Sequence, residues 1–419
     1  MKLFRRLCPA VTTLAACILG TVFWTEAGSN LVWKHLSTKS GDLPAPNTGK
    51  QQTSATVFDI DKDGVNDFVI TERTVAPTVV WYRRVIGGWN RHIIENEFLK
   101  PEAGATFGDI DSDGDLDFIA GADGGGDSGD QVWWWENPSP DFDPGTPWKR
   151  RTVKRSGGRK HHDLMFADVD GDGKPELVFW NQGARSLILA RIPPDPRSEG
   201  EWPMTTLFTY SVDGEMQQRA TSPPFKTINE HEGLAFMDID GDGKPDIVGG
   251  GYWFKHLGGD HYEANTIDAG YHFSRAAAGQ LIEGGRPEVV FVVGDGVGPL
   301  VMYEWVKGTW IPRVLIERID NGHSLSLVDF NGDGHLDLFC AEMRLDSGNP
   351  ESKVYILFGD GEGGFTKYVP VTGFDNHESK IVDLDGNGTL DILGKPYNWD
   401  TPRLDIWLNM GPAPAGPRK

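Results

Sequence analysis

Residues 231–251 read HEGLAFMDIDGDGKPDIVGGG. A polar pair, His231 and Glu232, leads into the apolar run Leu234–Met237. That run enters a carboxylate loop of Asp238, Asp240, Asp242 and Asp246, with Gly241 and Gly243 between them. A second apolar run, Ile247–Val248, follows. The loop sets hard oxygens at its positions 1, 3, 5 and 9, with a backbone carbonyl at 7 and glycine at the sharp turn. Calcium takes six to eight such oxygens. The spacing matches the start of an EF-hand but lacks its helices and its twelfth-position Glu, so a β-hairpin setting is predicted.

The same loop recurs in phase. It appears at Asp59 (with Asp61, Asp63, Asp67), Asp109 (Asp111, Asp113, Asp117) and Asp168 (Asp170, Asp172, Glu176). It returns at Asp329 (Asn331, Asp333, Asp337) and Asp383 (Asp385, Asn387, Asp391). Between the fourth and the last two lies GQLIEGGRPEVVF, whose equivalent positions are Gln280, Ile282 and Gly284, a degenerate copy. Successive first positions are 50, 59, 70, 42, 49 and 54 residues apart. Periods of this size with four short strand-like runs each indicate propeller blades. Most blades end in an outer run such as GWNRHII or GTWIPRVLI, but the last stops one strand short, at LDIWLNM. Leu31–Ser37, LVWKHLS, is an unpaired run of that type, and pairing the two would close the ring and remove both edges. The prediction is all-β: one seven-bladed β-propeller over 28–412 with a disordered tail at 413–419.

Composition agrees. Glycine is frequent (53), tryptophan is frequent (15), and short β-rich runs broken by Gly, Asp and Pro dominate. A net charge of −21 argues against nucleic acid as a partner and fits a chain whose carboxylates neutralise bound cations. Lys2, Arg5 and Arg6 precede an apolar run to Trp24, so 1–27 reads as a signal peptide of an exported protein. The alternative is a lipoprotein signal, Leu14–Cys17, which would anchor the chain at Cys17. No later segment is long and apolar enough to span a membrane. Beyond the leader only Cys340 remains, so no disulfide can staple an exported chain, and cations are expected to do so. Nothing in the sequence sets the oligomeric state.

On these loops the chain resembles the FG-GAP/VCBS repeat family over nearly all of its mature length. The resemblance implies seven-bladed propellers as found in integrin-like proteins, secreted lectins and several carbohydrate lyases. It implies fold more than function.

A second pattern appears on reading backwards from each loop. Six residues before the first carboxylate stand Thr53, Ala103, His162, Glu232, Ser274, His323 and His377. Two residues earlier stand Gln51, Pro101, Lys160, Glu230, His272, Asn321 and Asp375. These registers share a strand face and are expected to converge at the channel end away from the loops, with His161 and His231 facing elsewhere. Ionisable residues at one register in several blades stabilise an array poorly and mark a candidate pocket. His162, His323, His377 and Glu232 are the expected catalytic set. Three His and a Glu also suit Zn²⁺ or another divalent metal. Lys160, Arg219, His272, Arg275 and Tyr271 are expected around the substrate, and basic residues at that rim suggest an anionic carbohydrate. Trp253, Tyr397 and Trp399 are further candidates to stack on sugar rings, Tyr210–Asn229 to form a lid.

The leading functional expectation is a carbohydrate lyase performing β-elimination on a uronic-acid-containing or oxidised sugar. That chemistry needs a base, an enolate-stabilising cation and an acid. His162 or His323 would be base, with His377 and Glu232 as metal ligands or acid partner. The reading resembles single-domain propeller lyases acting on rhamnose–glucuronate linkages or ulvan, and the propeller domain of aldos-2-ulose dehydratase. The chain ends at Lys419, without room for that dehydratase's added cupin-type domains. The alternative is a non-catalytic carbohydrate- or protein-binding module.

Overall fold

A computed structural model describes residues 31–124, 129–198, 200–210 and 230–412. The leader with Cys17, Arg219, most of the 210–229 loop and the 413–419 tail lie outside the described residues. Among the described residues, twenty-eight strands form seven four-stranded antiparallel sheets. The innermost strands are Gln52–Phe58, Thr106–Gly108, His161–Ala167, Ala235–Met237, Ser274–Gly279, Ser324–Val328 and Lys380–Val382. They begin blades 1 to 7, in that order. No described helix is long and apolar enough to cross a membrane.

Strand alternation builds the ring. In the run Val132–Glu136 of blade 2, Trp133 and Trp135 pack toward blade 1, while Trp134 packs toward blade 3. Every blade has two apolar faces for this reason, and seven buried clusters result, one between each pair of neighbours. The apolar residue at loop position 2 anchors each loop to these clusters: Ile60, Ile110, Val169, Ile239, Leu281 and Leu384 are at most 1% exposed, Phe330 9%.

Closure follows the sequence. Leu31–Ser37 pairs with Asp405–Pro412 as the outer strand of blade 7, from Leu31↔Pro412 to Ser37↔Asp405. Deleting residues 1–37 would leave the inner face of that pairing as an open edge. The truncated chain is expected to self-associate and melt lower, as read by size exclusion and thermal scanning. A monomer with unchanged melting would contradict this.

The loops are hairpins with a common internal order. The position-1 carboxylate accepts the N–H of the position-6 glycine in all six: Gly64 (2.9 Å), Gly114 (3.2 Å), Gly173 (3.0 Å), Gly243 (2.9 Å), Gly334 (2.9 Å) and Gly388 (2.8 Å). That glycine is left-handed, for example φ 85° at Gly243, which a side chain would strain. The position-9 carboxylate has a job of its own. Asp246 accepts Ile239 N–H (3.0 Å) and His256 N–H (2.7 Å), and Asp337 and Asp391 are bonded likewise. The degenerate blade 5 keeps this clamp: Glu288 accepts Leu281 N–H (2.9 Å) and Ile282 N–H (3.0 Å). There Gln280 Nε2 donates to the carbonyls of Ile282 and Gly284, so an amide fills the space a cation would take.

Candidate functional site

The end of the channel away from the loops holds a cavity of about 110 Å³. Lys160, His162, Glu230, Glu232, His323 and His377 line it, together with Arg73, Glu102, Asp295, Tyr397 and an apolar side of Phe273, Met343 and Leu345. Four residues of the backward six-residue register thus meet, from blades 3, 4, 6 and 7.

Local backbone geometry turns them inward. The innermost strands of blades 1 and 3 bulge, between Gln52 and Ala55 and between His162 and Met165. The residue after the ring position is left-handed in four blades: Gly104 (φ 84°), Asp163 (50°), Gly233 (78°) and Glu378 (56°). For Asp163 and Glu378 this costs about 1–2 kcal/mol each, tolerated only where the surroundings fix it. The fixing group is Arg275, from the same register of blade 5. Its Nη2 pairs with Asp163 Oδ1 and, at 2.9 Å, with Glu378 Oε1. The two carboxylates are buried and the guanidinium nearly so, in ion pairs beside the cavity, with Lys380 3.1 Å from Glu378.

Asp163 also orients a histidine. Its Oδ2 lies 2.8 Å from His162 Nδ1 and accepts Gly233 N–H at 2.7 Å. His162 Nε2 then faces Glu232 Oε1 at 3.2 Å. Burial opposes charge on His162, but Glu232 and Asp163 outweigh it and push the imidazole up to about 9. Burial raises the Glu232 carboxyl despite His162. His323 differs. Burial pulls it down to about 4, against the pull of Asp295, 3.6 Å from its Nε2. Its ring stacks on His377 with centroids 4.3 Å apart. His377 is held neutral by burial and by Lys395, whose Nζ sits 3.0 Å from Nδ1. Burial holds Lys395 down at about 7. Two buried atoms here have no hydrogen-bond partner within the chain: Glu232 Oε2 and His323 Nδ1. Donor atoms of His162, Asp163 and Glu232 lie within 4.8 Å of one another, a grouping that could hold a metal ion.

The other predicted residues distribute differently. Lys160 reaches the cavity but is paired with Glu230 at 2.6 Å. Arg275 lies outside the lining, in the ion pairs above. Tyr271 is 1% exposed, packed with Phe291 and Tyr303 between blades 4 and 5. His272 sits 3.2 Å from the carbonyl of Ala269 and packs near His231, also outside the lining. His161 and His231 turn into interblade packing, against Phe179 and against Trp180 and Tyr210. Asp375 accepts the N–H groups of Arg344 and Tyr397. Trp253 is core, and Trp399 stacks between the guanidiniums of Arg344 and Arg403.

Sequence reading missed Arg73, Glu102 and Asp295. A signal exists for part of this set. Fourteen residues after each first carboxylate stand Arg73, Asp123, Gln182, Tyr252, Gly294, Met343 and Tyr397. Arg73, Met343 and Tyr397 line the cavity, Asp123 pairs with Arg73 (3.3 Å), and Gln182 Nε2 donates to Glu232 (3.3 Å). Arg73 is further bound by Glu102 at 3.0 Å and by the Tyr397 hydroxyl.

The loops carry the mark of a cation site. At position 3, Asp61, Asp111 and Asp240 have side chains 2%, 1% and 7% exposed, yet Oδ1 of each has no donor, as does Oδ1 of Asp385. Buried oxygens in this state fit an ion at the loop centre.

An FG-GAP-like repeat model matches residues 103–179, 285–340 and 329–394. No curated protein matches the chain. Among solved structures, AofleA from Arthrobotrys oligospora is similar at 12% identity, covering 83% of this chain and 91% of its own, with a TM-score of 0.41. The NanB sialidase from Streptococcus pneumoniae is similar at 12% identity, covering 88% and 70%, with a TM-score of 0.42. A mutant of the Aleuria aurantia lectin in complex with alpha-methyl-L-fucoside is similar at 12% identity, covering 78% and 97%, with a TM-score of 0.41. Likeness at this level decides nothing about what the chain binds.

Proposed function

From a seven-bladed propeller carrying FG-GAP-like repeats, we propose that the central cavity binds a carbohydrate and that six loops are stapled by Ca²⁺. The observation that carries the cavity reading is that two of its lining side chains keep a buried atom without a hydrogen bond: Glu232 Oε2, which stands 3.8 Å from His323 Nε2, and His323 Nδ1. A sugar supplies hydroxyls that both donate and accept, and its C–H face suits the Phe273–Met343–Leu345 side. The ligand is neutral at the point of contact. Arg73 and Lys160 are already paired, and the lining carries four carboxylates, Glu102, Glu230, Glu232 and Asp295, against those two bases and the protonated His162, itself held by Asp163 and Glu232. An anionic group would add to that excess.

A second reading, β-elimination, is supported by the opposed tuning of two histidines. His162 is held protonated between Asp163 and Glu232, so it serves as acid. His323 is held neutral, so it serves as base. A divalent metal in the cavity would be an alternative to this acid–base pair, not an addition to it: it would take His162 Nε2 and His323 Nε2 as neutral imidazoles together with Glu232, with Asp163 orienting His162 from behind. Such an ion would supply electrophilic stabilisation of an adjacent carbonyl.

A glycan array with the intact protein tests both. Glu232→Gln and His323→Ala are expected to weaken binding of the captured glycan at least about tenfold, roughly the loss of one buried hydrogen bond to a charged group. New ultraviolet absorbance on incubation with that glycan, lost in His323→Ala, would select the lyase reading. Metal analysis of wild type against Glu232→Gln would place or remove the ion. Binding unaffected by either substitution would put the site elsewhere.

A further inference from the structure

The six loops differ in composition but match in charge. In blades 1 to 4 the donor positions 1, 3, 5 and 9 carry four carboxylates each. In blades 6 and 7 they carry three, because Asn331 and Asn387 replace one. The four-carboxylate loops each bring a basic side chain to position 3. Arg83 Nε lies 2.5 Å from Asp61 Oδ2, Arg197 Nη2 2.6 Å from Asp111 Oδ2, and Arg191 Nη2 2.8 Å from Asp170 Oδ2. Lys255 Nζ pairs with Asp240 Oδ2 and stands 3.3 Å from Asp242. Among the described residues no basic side chain is paired with Asp329, Asp333, Asp383 or Asp385. Counting the four donor positions and the base at position 3, every set carries a formal −3; Arg197 also meets Glu136 at 2.7 Å, itself paired with Arg151, Asp115 at position 7 of blade 2 is matched by Lys62, and Arg191 stands 3.6 Å from Asp260.

The partners also come from different places. Arg83, Arg191 and Lys255 lie on the third strands of their own blades, whereas Arg197 lies in a loop of blade 3 and reaches across to blade 2. Three of the four bases share one place in the repeat, and Arg197 supplies the same charge to blade 2 from outside it. In each pair the base holds Oδ2. Oδ1 of Asp61, Asp111 and Asp240 stays buried without a donor, so the base sits outside the loop and leaves the ion's oxygen open. Lys174 and Lys244, at position 7 of blades 3 and 4, are exposed, where screening makes their contribution small.

We infer that Arg83, Arg191, Arg197 and Lys255 are components of the loop cation sites, matching the charge of the four-carboxylate loops to that of the Asn-containing ones so that all six load over one narrow range of calcium concentration. This rests on the calcium reading above. A unit charge some 6 Å from a divalent ion at a half-exposed site changes its affinity by about tenfold.

Calcium titration of the chelator-stripped full chain, by calorimetry with a competing chelator, tests this. One class of about six sites is expected, by the count of loops. Arg83→Met keeps the aliphatic stem and removes the charge. It is expected to create one site about tenfold tighter, and Arg83→Lys to restore a single class. Should Arg83→Met fold poorly, Asn387→Asp makes the same change from the other side, and its blade 7 loop should tighten alone. Wild-type sites that split four against two, or unaltered affinities in both Arg83→Met and Asn387→Asp, would overturn the inference. No calcium bound at all would overturn the calcium reading itself.

Discussion

If the six loops bind calcium as proposed, stripping it is expected to lower the melting temperature by roughly 20 °C, the sum of six sites each contributing about 2.7 kcal/mol at a hundredfold excess over Kd, set against an unfolding entropy of about 0.8 kcal/mol/K for a domain of roughly 380 residues. The structural reason is local. Each loop crowds carboxylates around one turn, and several of their oxygens are buried without donors. Without an ion those charges repel, and the hairpin joining the innermost strand to the second is the first to open. Blade 5 is the internal control, since Gln280 closes its loop with an amide. Hydrogen exchange in chelator should therefore speed up in the hairpins of the other six blades and leave 279–288 unchanged. A melt that does not move, with metal removal confirmed by elemental analysis, would exclude the stapling role.

Arg275→Met is expected to destabilise the protein by about 3 kcal/mol, because two buried carboxylates each lose one of two cations, leaving Asp163 to His162 and Glu378 to Lys380. Arg275 is bound by Asp163 and Glu378, the residues that directly follow His162 and His377. Both carboxylates occupy left-handed backbone, so the guanidinium holds two strained positions as well as two charges. Asp163→Asn with Glu378→Gln in the Arg275→Met background removes those two charges and should recover much of the loss. Urea unfolding of the single and triple variants measures this. A single variant within 1 kcal/mol of wild type would show that the pairs carry no net stability.

The fold was legible because its signal is redundant. Six carboxylate loops in phase leave little choice of architecture, and the unpaired run Leu31–Ser37 closes the blade that ends one strand short. The cavity was legible in part for the same reason. A register counted back from each loop found His162, Glu232, His323 and His377. Arg275 was misread as a rim residue because strict two-residue alternation puts its register on the far face. The left-handed residues Asp163 and Glu378 break that alternation, and nothing in their identity announces it. Arg73 sits just past the second strand, fourteen residues after the first carboxylate, where no residue type is common to the seven blades, whereas Tyr397 at the same position in blade 7 was singled out as an aromatic and does line the cavity. Tyr271 and Trp253 were ambiguous because an aromatic beside a strand end packs between blades as readily as it stacks on a ligand.

The ring closes where its two ends lie side by side, with Leu31 opposite Pro412 and the pairing running inward to Ser37 and Asp405. Tension applied between these ends would load the pairs one after another, as in opening a zip, and not all at once as in sliding strands past each other. Peeling of this kind needs little force, whatever the heat resistance of the remaining blades. A propeller fastened this way yields to a pull along its own chain beginning at blade 7.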